Sequence, residues 1–126
     1  MTTSFSFTRE PIPRDPLPFD TASGAVLEFW GVVRADEAGR TIPGLDYEAH
    51  EPMARRHLER IASELGRLHP VAAVRMVHRL GRVPAGEASL WLAVASGHRG
   101  EAIEFLRLFI ESLKADVPVW KRIPSA

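Results

Sequence analysis

The run from Ser96 to Lys121, SGHRGEAIEFLRLFIESLKADVPVWK, constrains the chain more tightly than any other stretch. Ala102, Leu106, Phe109 and Leu113, with Ile103 and Ile110 beside them, recur at helical spacing, which predicts a helix with one buried face. Pro118 must stop that helix, because it cannot continue the backbone ladder. Glu101 and Glu104 fall in the first turn and Lys114 in the last, the charge order that the helix dipole favours. Beyond the stop, Val117-Pro118-Val119-Trp120 reads as a short extended segment that carries Lys121 back past the helix end. Two lysines from different elements can then face one place.

A one-sided helix needs a layer to pack against, and the remaining sequence supplies strands. Gly24 to Val33 is almost wholly apolar and β-rich, which predicts a central strand, with Gly31 marking a bulge or a close backbone approach and Arg34 at its end. Residues 35–40 form a polar turn, and Leu45 to His50 alternates as a half-buried strand does. Pro52 suits the first turn of a second helix with the stripe Leu58, Ile61, Ala62 and Leu65, an end near Gly66, and Arg55/Glu59 and Arg60/Glu64 as exposed pairs. Val71 to Leu80 and Ser89 to Ala95 are two further strands, joined through a turn in which Pro84-Ala85-Gly86 calls for positive φ at the glycine. The order strand, strand, helix, strand, strand, helix, short strand argues an α+β two-layer sandwich, with two main helices on one face of a mainly antiparallel sheet.

Residues 1–22 hold four of the ten prolines, interleaved with Phe5, Phe7, Ile12, Leu17 and Phe19, so an extended proline-rich arm is expected there, a strand or loop lying across a single domain of residues 23–126. Sixteen basic and sixteen acidic residues cancel, so no global field draws the chain to nucleic acid or an anionic membrane, and any anion site must be local. The absence of cysteine removes disulfides and thiolate chemistry and fits a cytoplasmic setting. No apolar run approaches the roughly 18 residues that span a bilayer, and no signal core opens the chain.

Chemistry-bearing residues cluster at element ends. The helix start at Ser96-Gly97-His98-Arg99 offers free backbone N–H groups beside an imidazole and a guanidinium, a combination suited to an anion, although a solvated Arg99 and a capping His98 explain the same residues. Arg34 stands at a strand end, where a rigid scaffold presents functional groups. Lys114 suits the helix dipole and Lys121 beside Arg122 suits solvent, but if they converge each raises the cost of the other's charge and favours proton transfer or amine chemistry. His50, His57, His69 and His78 form no metal-ligand spacing, so no metal is expected. Trp30, Trp91 and Trp120 fall on strands, where packing is the expected use.

Laid out in this order, the residues resemble the large, catalytic subunit family of molybdopterin synthase. The resemblance runs from about Gly24 to Arg122 through Gly24-Ala25-Val26, Phe29 with Gly31-Val32-Val33-Arg34, Leu45-Asp46-Tyr47-Glu48-Ala49, Met53-Ala54, Val77-His78-Arg79-Leu80-Gly81, Gly86-Glu87-Ala88-Ser89, His98-Arg99, and Leu113-Lys114 to Trp120-Lys121. It implies an α/β hammerhead fold and a sulfur transfer. A ubiquitin-like small subunit carries a thiocarboxylate on its C-terminal Gly-Gly, and its sulfur passes to cyclic pyranopterin monophosphate to make the molybdopterin dithiolene. It further implies a heterotetramer built on a dimer of large subunits, no cofactor, Lys114 and Lys121 as the catalytic pair, and Arg34, His98 and Arg99 on the substrate. Where the family commonly continues past Trp-Lys with an acidic residue and a longer tail, this sequence has Arg122-Ile123-Pro124-Ser125-Ala126, and the proline-rich arm stands where a helix usually precedes the Gly-Ala-Val strand. A pocket wall or subunit contact built differently is expected from both departures. A non-catalytic paralogue that binds a ubiquitin-like protein, and a generic module binding a phosphorylated ligand through Arg34 and Arg99, are the rival readings.

Overall fold

Eleven elements follow one another in the computed structural model, which describes residues 1–13 and 19–124. The arm's Pro16, Leu17 and Pro18 and the terminal Ser125 and Ala126 lie outside the described residues. In chain order the elements are β1 (Thr2–Thr8), β2 (Ala25–Val32), β3 (Asp36–Glu37), β4 (Arg40–Thr41), β5 (Gly44–Ala49), α1 (Glu51–Leu68), β6 (Ala73–Arg79), β7 (Gly81–Pro84), β8 (Ala88–Ser96), α2 (Arg99–Asp116) and β9 (Val119–Arg122).

Strands β1-β6-β8-β2 form a four-stranded sheet in which β1 runs parallel to β6 and the other pairs are antiparallel. Its register lines up rows of inward side chains. Phe5, Met76, Leu92 and Phe29 make one row, and Val74, Val94 and Leu27 belong to the next. Both helices lay their apolar stripes on this face: Leu58, Ile61 and Ala62 from α1, and Ala102, Phe105, Phe109 and Leu113 from α2. Phe109 stacks between Phe5 and Phe105, at centroid distances of 5.9 and 5.7 Å. The N-terminal segment thus contributes an edge strand with Phe5 in the core. On α2 the buried stripe runs through Phe105, and Ile103 faces solvent.

The apolar run at Gly24–Val33 forms the edge strand β2, and β6 and β8 are the inner strands. Its two faces explain the composition: Ala25, Leu27 and Phe29 pack under the helices, while Trp30 on the other face lies 6.2 Å from Trp91, whose Nε1–H donates to Glu28 Oε1 at 2.9 Å. On that outer face Val26 and Val32 are exposed, so the apolar run marks an edge strand with one packed face rather than a strand buried on both. The ladder shifts register between Gly31 and Val32, the bulge expected at that glycine.

A second sheet, β7-β5-β9, is antiparallel and has its own small core of Val33, Ile42, Leu45 and Val83. Gly81–Pro84, expected as part of a turn, is instead a strand of this sheet. The chain changes sheet at Gly81, whose φ of +81° only glycine adopts freely, and turns again at Gly86, φ +89°. Helix α1 begins with His50 Nδ1 accepting from the Met53 N–H at 3.3 Å, and Arg55 pairs with Glu51 rather than Glu59, whose carboxylate takes the Thr3 hydroxyl. Among the described residues no helix is long and apolar enough to cross a membrane.

Candidate functional site

The two sheets and the C-terminal end of α2 meet around a cavity of about 620 Å³. Its walls are the last residues of β2 with Arg34, the start of β8, Tyr47 on β5, His78 on β6, Leu113 and Lys114 on α2, Val119 and Lys121 on β9, and Glu37 from the β3–β4 hairpin. Arg34, Glu37, Tyr47, His78, Lys114 and Lys121, from six different segments, therefore converge on one concave surface.

The lysine pair is brought together by the Pro118 turn. At the end of α2 the Val117 N–H donates to the Leu113 carbonyl, and the Val119 N–H donates to the Val117 carbonyl at 2.7 Å, a tight turn centred on Pro118. Strand β9 then docks antiparallel on β5 with Lys121 opposite Tyr47, while Lys114 remains on the last turn of α2. Both lysines line the cavity. Lys114 has no ion-pair partner among the described residues; Lys121 Nζ lies 3.4 Å from Glu37 Oε1. Arg34 also lines the cavity, its guanidinium 4.0 Å from Glu37 Oε2.

His98 and Arg99 are elsewhere. They begin α2, both are exposed, and neither lines the cavity. His98 occupies the N-cap position without a side-chain cap bond, so the capping explanation of that residue does not hold. The fifteen residues from Arg99 to Lys114 separate them by about 22 Å along the helix axis.

Sequence reasoning missed two cavity residues. His78, set aside for want of metal-ligand spacing, is 5% exposed and places Nδ1 2.9 Å from the Arg79 carbonyl oxygen. A carbonyl only accepts, so Nδ1 carries the proton. Burial holds the imidazole below its ordinary pKa of 6.5, against the raising effect of that hydrogen bond, which leaves Nε2 as an acceptor. Tyr47 meets the ring edge-on at 5.2 Å. Glu37 was read as part of a polar turn, and no local signal says that a hairpin would fold it over the cavity.

Tighter pairs lie outside the cavity lining. Arg79 Nη1 donates to Glu87 Oε1 at 2.7 Å, and Arg82 Nε donates to Asp46 Oδ1 at 2.6 Å across β5 and β7. Arg82 and Arg122 hold the Asp46 carboxyl below its usual range, the Arg82 hydrogen bond contributing most.

A family model described as MoaE protein matches residues 8–116. A molybdopterin synthase catalytic subunit from Oryza sativa subsp. indica is 44% identical over 103 residues, covering 82% of this chain and 53% of that one, and one from Homo sapiens is 38% identical over 120 residues, covering 93% and 64%. The chain thus spans between half and two-thirds of the length of these curated relatives. Among solved structures, molybdopterin synthase from Staphylococcus aureus superposes with a TM-score of 0.87 at 32% identity, covering 95% of this chain and 90% of that one. The complex of subunits 1 and 2 of molybdopterin-converting factor from Helicobacter pylori matches with a TM-score of 0.69 at 30% identity, covering 81% and 66%.

Proposed function

The chain belongs to the MoaE protein family, and on that premise we propose that it is the catalytic subunit of a molybdopterin synthase, passing sulfur from a thiocarboxylated ubiquitin-like small subunit to cyclic pyranopterin monophosphate. The observation that carries the proposal is the convergence of Lys114 and Lys121, from two elements separated by the Pro118 turn, with Arg34 on one cavity. Both reactants are anionic at the reacting end, one a thiocarboxylate and the other a cyclic phosphate, and a partly enclosed cationic cavity favours bringing them together. Arg34 suits the phosphate through its planar fork of donors. Lys114 is assigned to the acyl group and substrate, and Lys121 to stabilising developing charge or moving a proton. At each of two successive transfers, a thiocarboxylate sulfur bonds to a substrate carbon as a carbon–oxygen bond there breaks and its oxygen leaves with a proton, and the acyl group becomes a thioester. Water must then break the acyl–sulfur bond and leave the small subunit with an ordinary carboxylate.

His98 and Arg99 belong to the same proposal only through a second copy of the chain. At about 22 Å from Lys114 along a rigid helix, they reach a substrate in this cavity by no motion short of unfolding α2. A homodimer that sets the start of one α2 over the cavity of the other subunit supplies them, within a heterotetramer completed by two small subunits. The proposed setting is the cytoplasm, whose reducing poise preserves a thiocarboxylate.

The test is turnover with a thiocarboxylated small subunit and cyclic pyranopterin monophosphate, read by mass spectrometry of the product. Wild type is expected to form the dithiolene, and Lys114→Ala and Lys121→Ala each to lose about a hundredfold or more in rate. A wild-type complex with the small subunit that forms no product would instead make the chain a binding paralogue.

A further inference from the structure

The sulfur transfer gives Glu37 no task, yet its carboxylate stands in the cavity wall between two of the cations. Its two contacts, 3.4 Å to Lys121 Nζ and 4.0 Å to Arg34 Nη2, are long for charge-assisted bonds. Two pairs outside the cavity lining, Arg79 with Glu87 and Arg82 with Asp46, close to 2.7 and 2.6 Å. Glu37 is thus placed to neutralise the cations without locking them. Its support is slight as well: the β3–β4 hairpin has two ladder pairs, Asp36 with Thr41 and Glu37 with Arg40, and turns through Ala38 at φ +51° and Gly39 at φ +76°. Ala38 is a non-glycine residue in the left-handed region, a conformation that strains an L side chain. The cations themselves are accessible, Arg34 with 81% and Lys121 with 54% of its side chain exposed.

We propose that Glu37 is a resident counter-anion, occupying the place of an incoming phosphate group between Arg34 and Lys121 and setting how tightly the cavity takes that group. The inference rests on reading the cavity as the anion site of the proposed reaction. While Glu37 sits there, Arg34 and Lys121 are partly neutralised and the site does not collect stray anions. A phosphate that also engages Lys114 and the cavity floor displaces the carboxylate, and the hairpin tip yields. The residue thereby acts as a specificity filter, since an anion must bring more than charge to win the exchange.

The experiment is a titration of the full chain at low ionic strength with inorganic phosphate, and separately with glycylglycine as a probe for a C-terminal carboxylate, for wild type, Glu37→Gln and Glu37→Asp. Glu37→Gln keeps the shape and removes the charge, so its Kd for phosphate is expected to fall about fivefold, the scale of an exposed ion pair released. Glu37→Asp is expected to lie between it and wild type, and the gain is expected to shrink as salt is added. A change of less than twofold, a weakening, or a gain confined to glycylglycine would each overturn the proposal. Thermal unfolding of both variants checks that the hairpin folds, and if Glu37→Gln melts early the Asp variant decides by the same criterion. Phosphate affinity is read without turnover. An inactive chain whose Glu37→Gln variant still tightens would sink the sulfur-transfer reading alone, and an active one without tightening would sink this proposal alone.

Discussion

His78 shows how one residue's surroundings turn into a measurable pH dependence. It lies in the row Phe7, His78, Leu90, Gly31 across the four-stranded sheet, with Tyr47 against its edge and the cavity cations nearby. Burial depresses its pKa in the folded chain, so between that value and 6.5 the unfolded chain binds the extra proton and the folded chain does not. The resulting stability is fully present above pH 6.5 and is lost as pH falls through the folded value, at a slope of at most about 1.4 kcal/mol per pH unit. Urea unfolding at pH 7.5 and 5.5 checks this. Wild type is expected to lose stability on acidification, and His78→Gln, which cannot titrate, to lose measurably less. Equal losses in the two proteins would assign the acid sensitivity to other groups. At the same scale, Arg34, Lys114 and Lys121 were legible in the sequence because each stands at an element end where a charge is presented rather than buried. Glu37 was not, because its place in the cavity wall depends on a contact with Lys121, 84 residues further along the chain.

Elements were legible where periodicity was clean and ambiguous where apolar residues wrap too far around. The stripe of α1 is narrow, and Leu58, Ile61 and Ala62 are buried as their spacing predicts. Helix α2 carries Ile103, Phe105, Leu106, Phe109 and Ile110 over an arc wider than one face. Spacing put Leu106 in the buried stripe and omitted Phe105, whereas Phe105 is buried, stacked on Phe109, which stacks in turn on Phe5. The division into two sheets had no local signature beyond Gly81, because a strand's hydrophobic pattern does not name its partner. Gly44 fixes that second sheet. A Cβ there would lie 3.0 Å from Pro84 Cα and closer still to the Val83 carbonyl oxygen, so any side chain pushes β5 away from β7. Gly44→Ala is expected to cost about 1–3 kcal/mol, measured as a lowered urea midpoint. It should also reduce turnover beyond its effect on stability, because β5 carries both Tyr47 and the ladder that holds β9 and Lys121.

At the scale of the whole molecule, the positions of Arg99 and Lys114 at opposite ends of α2 make the proposed dimer testable without a structure of it. If each cavity draws its lysines from one chain and Arg99 from the other, a chain with Lys114→Ala still offers a working Arg99, and a chain with Arg99→Ala still offers a working pair of lysines. Each variant alone assembles only defective sites. Co-expression in equal amounts puts one copy of each into half of the dimers, and every mixed dimer holds one site with both groups intact and one with neither. About a quarter of all sites are then restored, and activity should return to about a quarter of wild type from two nearly inactive parents. A site complete within one chain gives no such recovery, since each polypeptide carries its own defect into its own cavity. Full activity of Arg99→Ala alone would remove that residue from the site. The measured fraction therefore reports whether the end of α2 remote from the cavity serves the neighbour's chemistry.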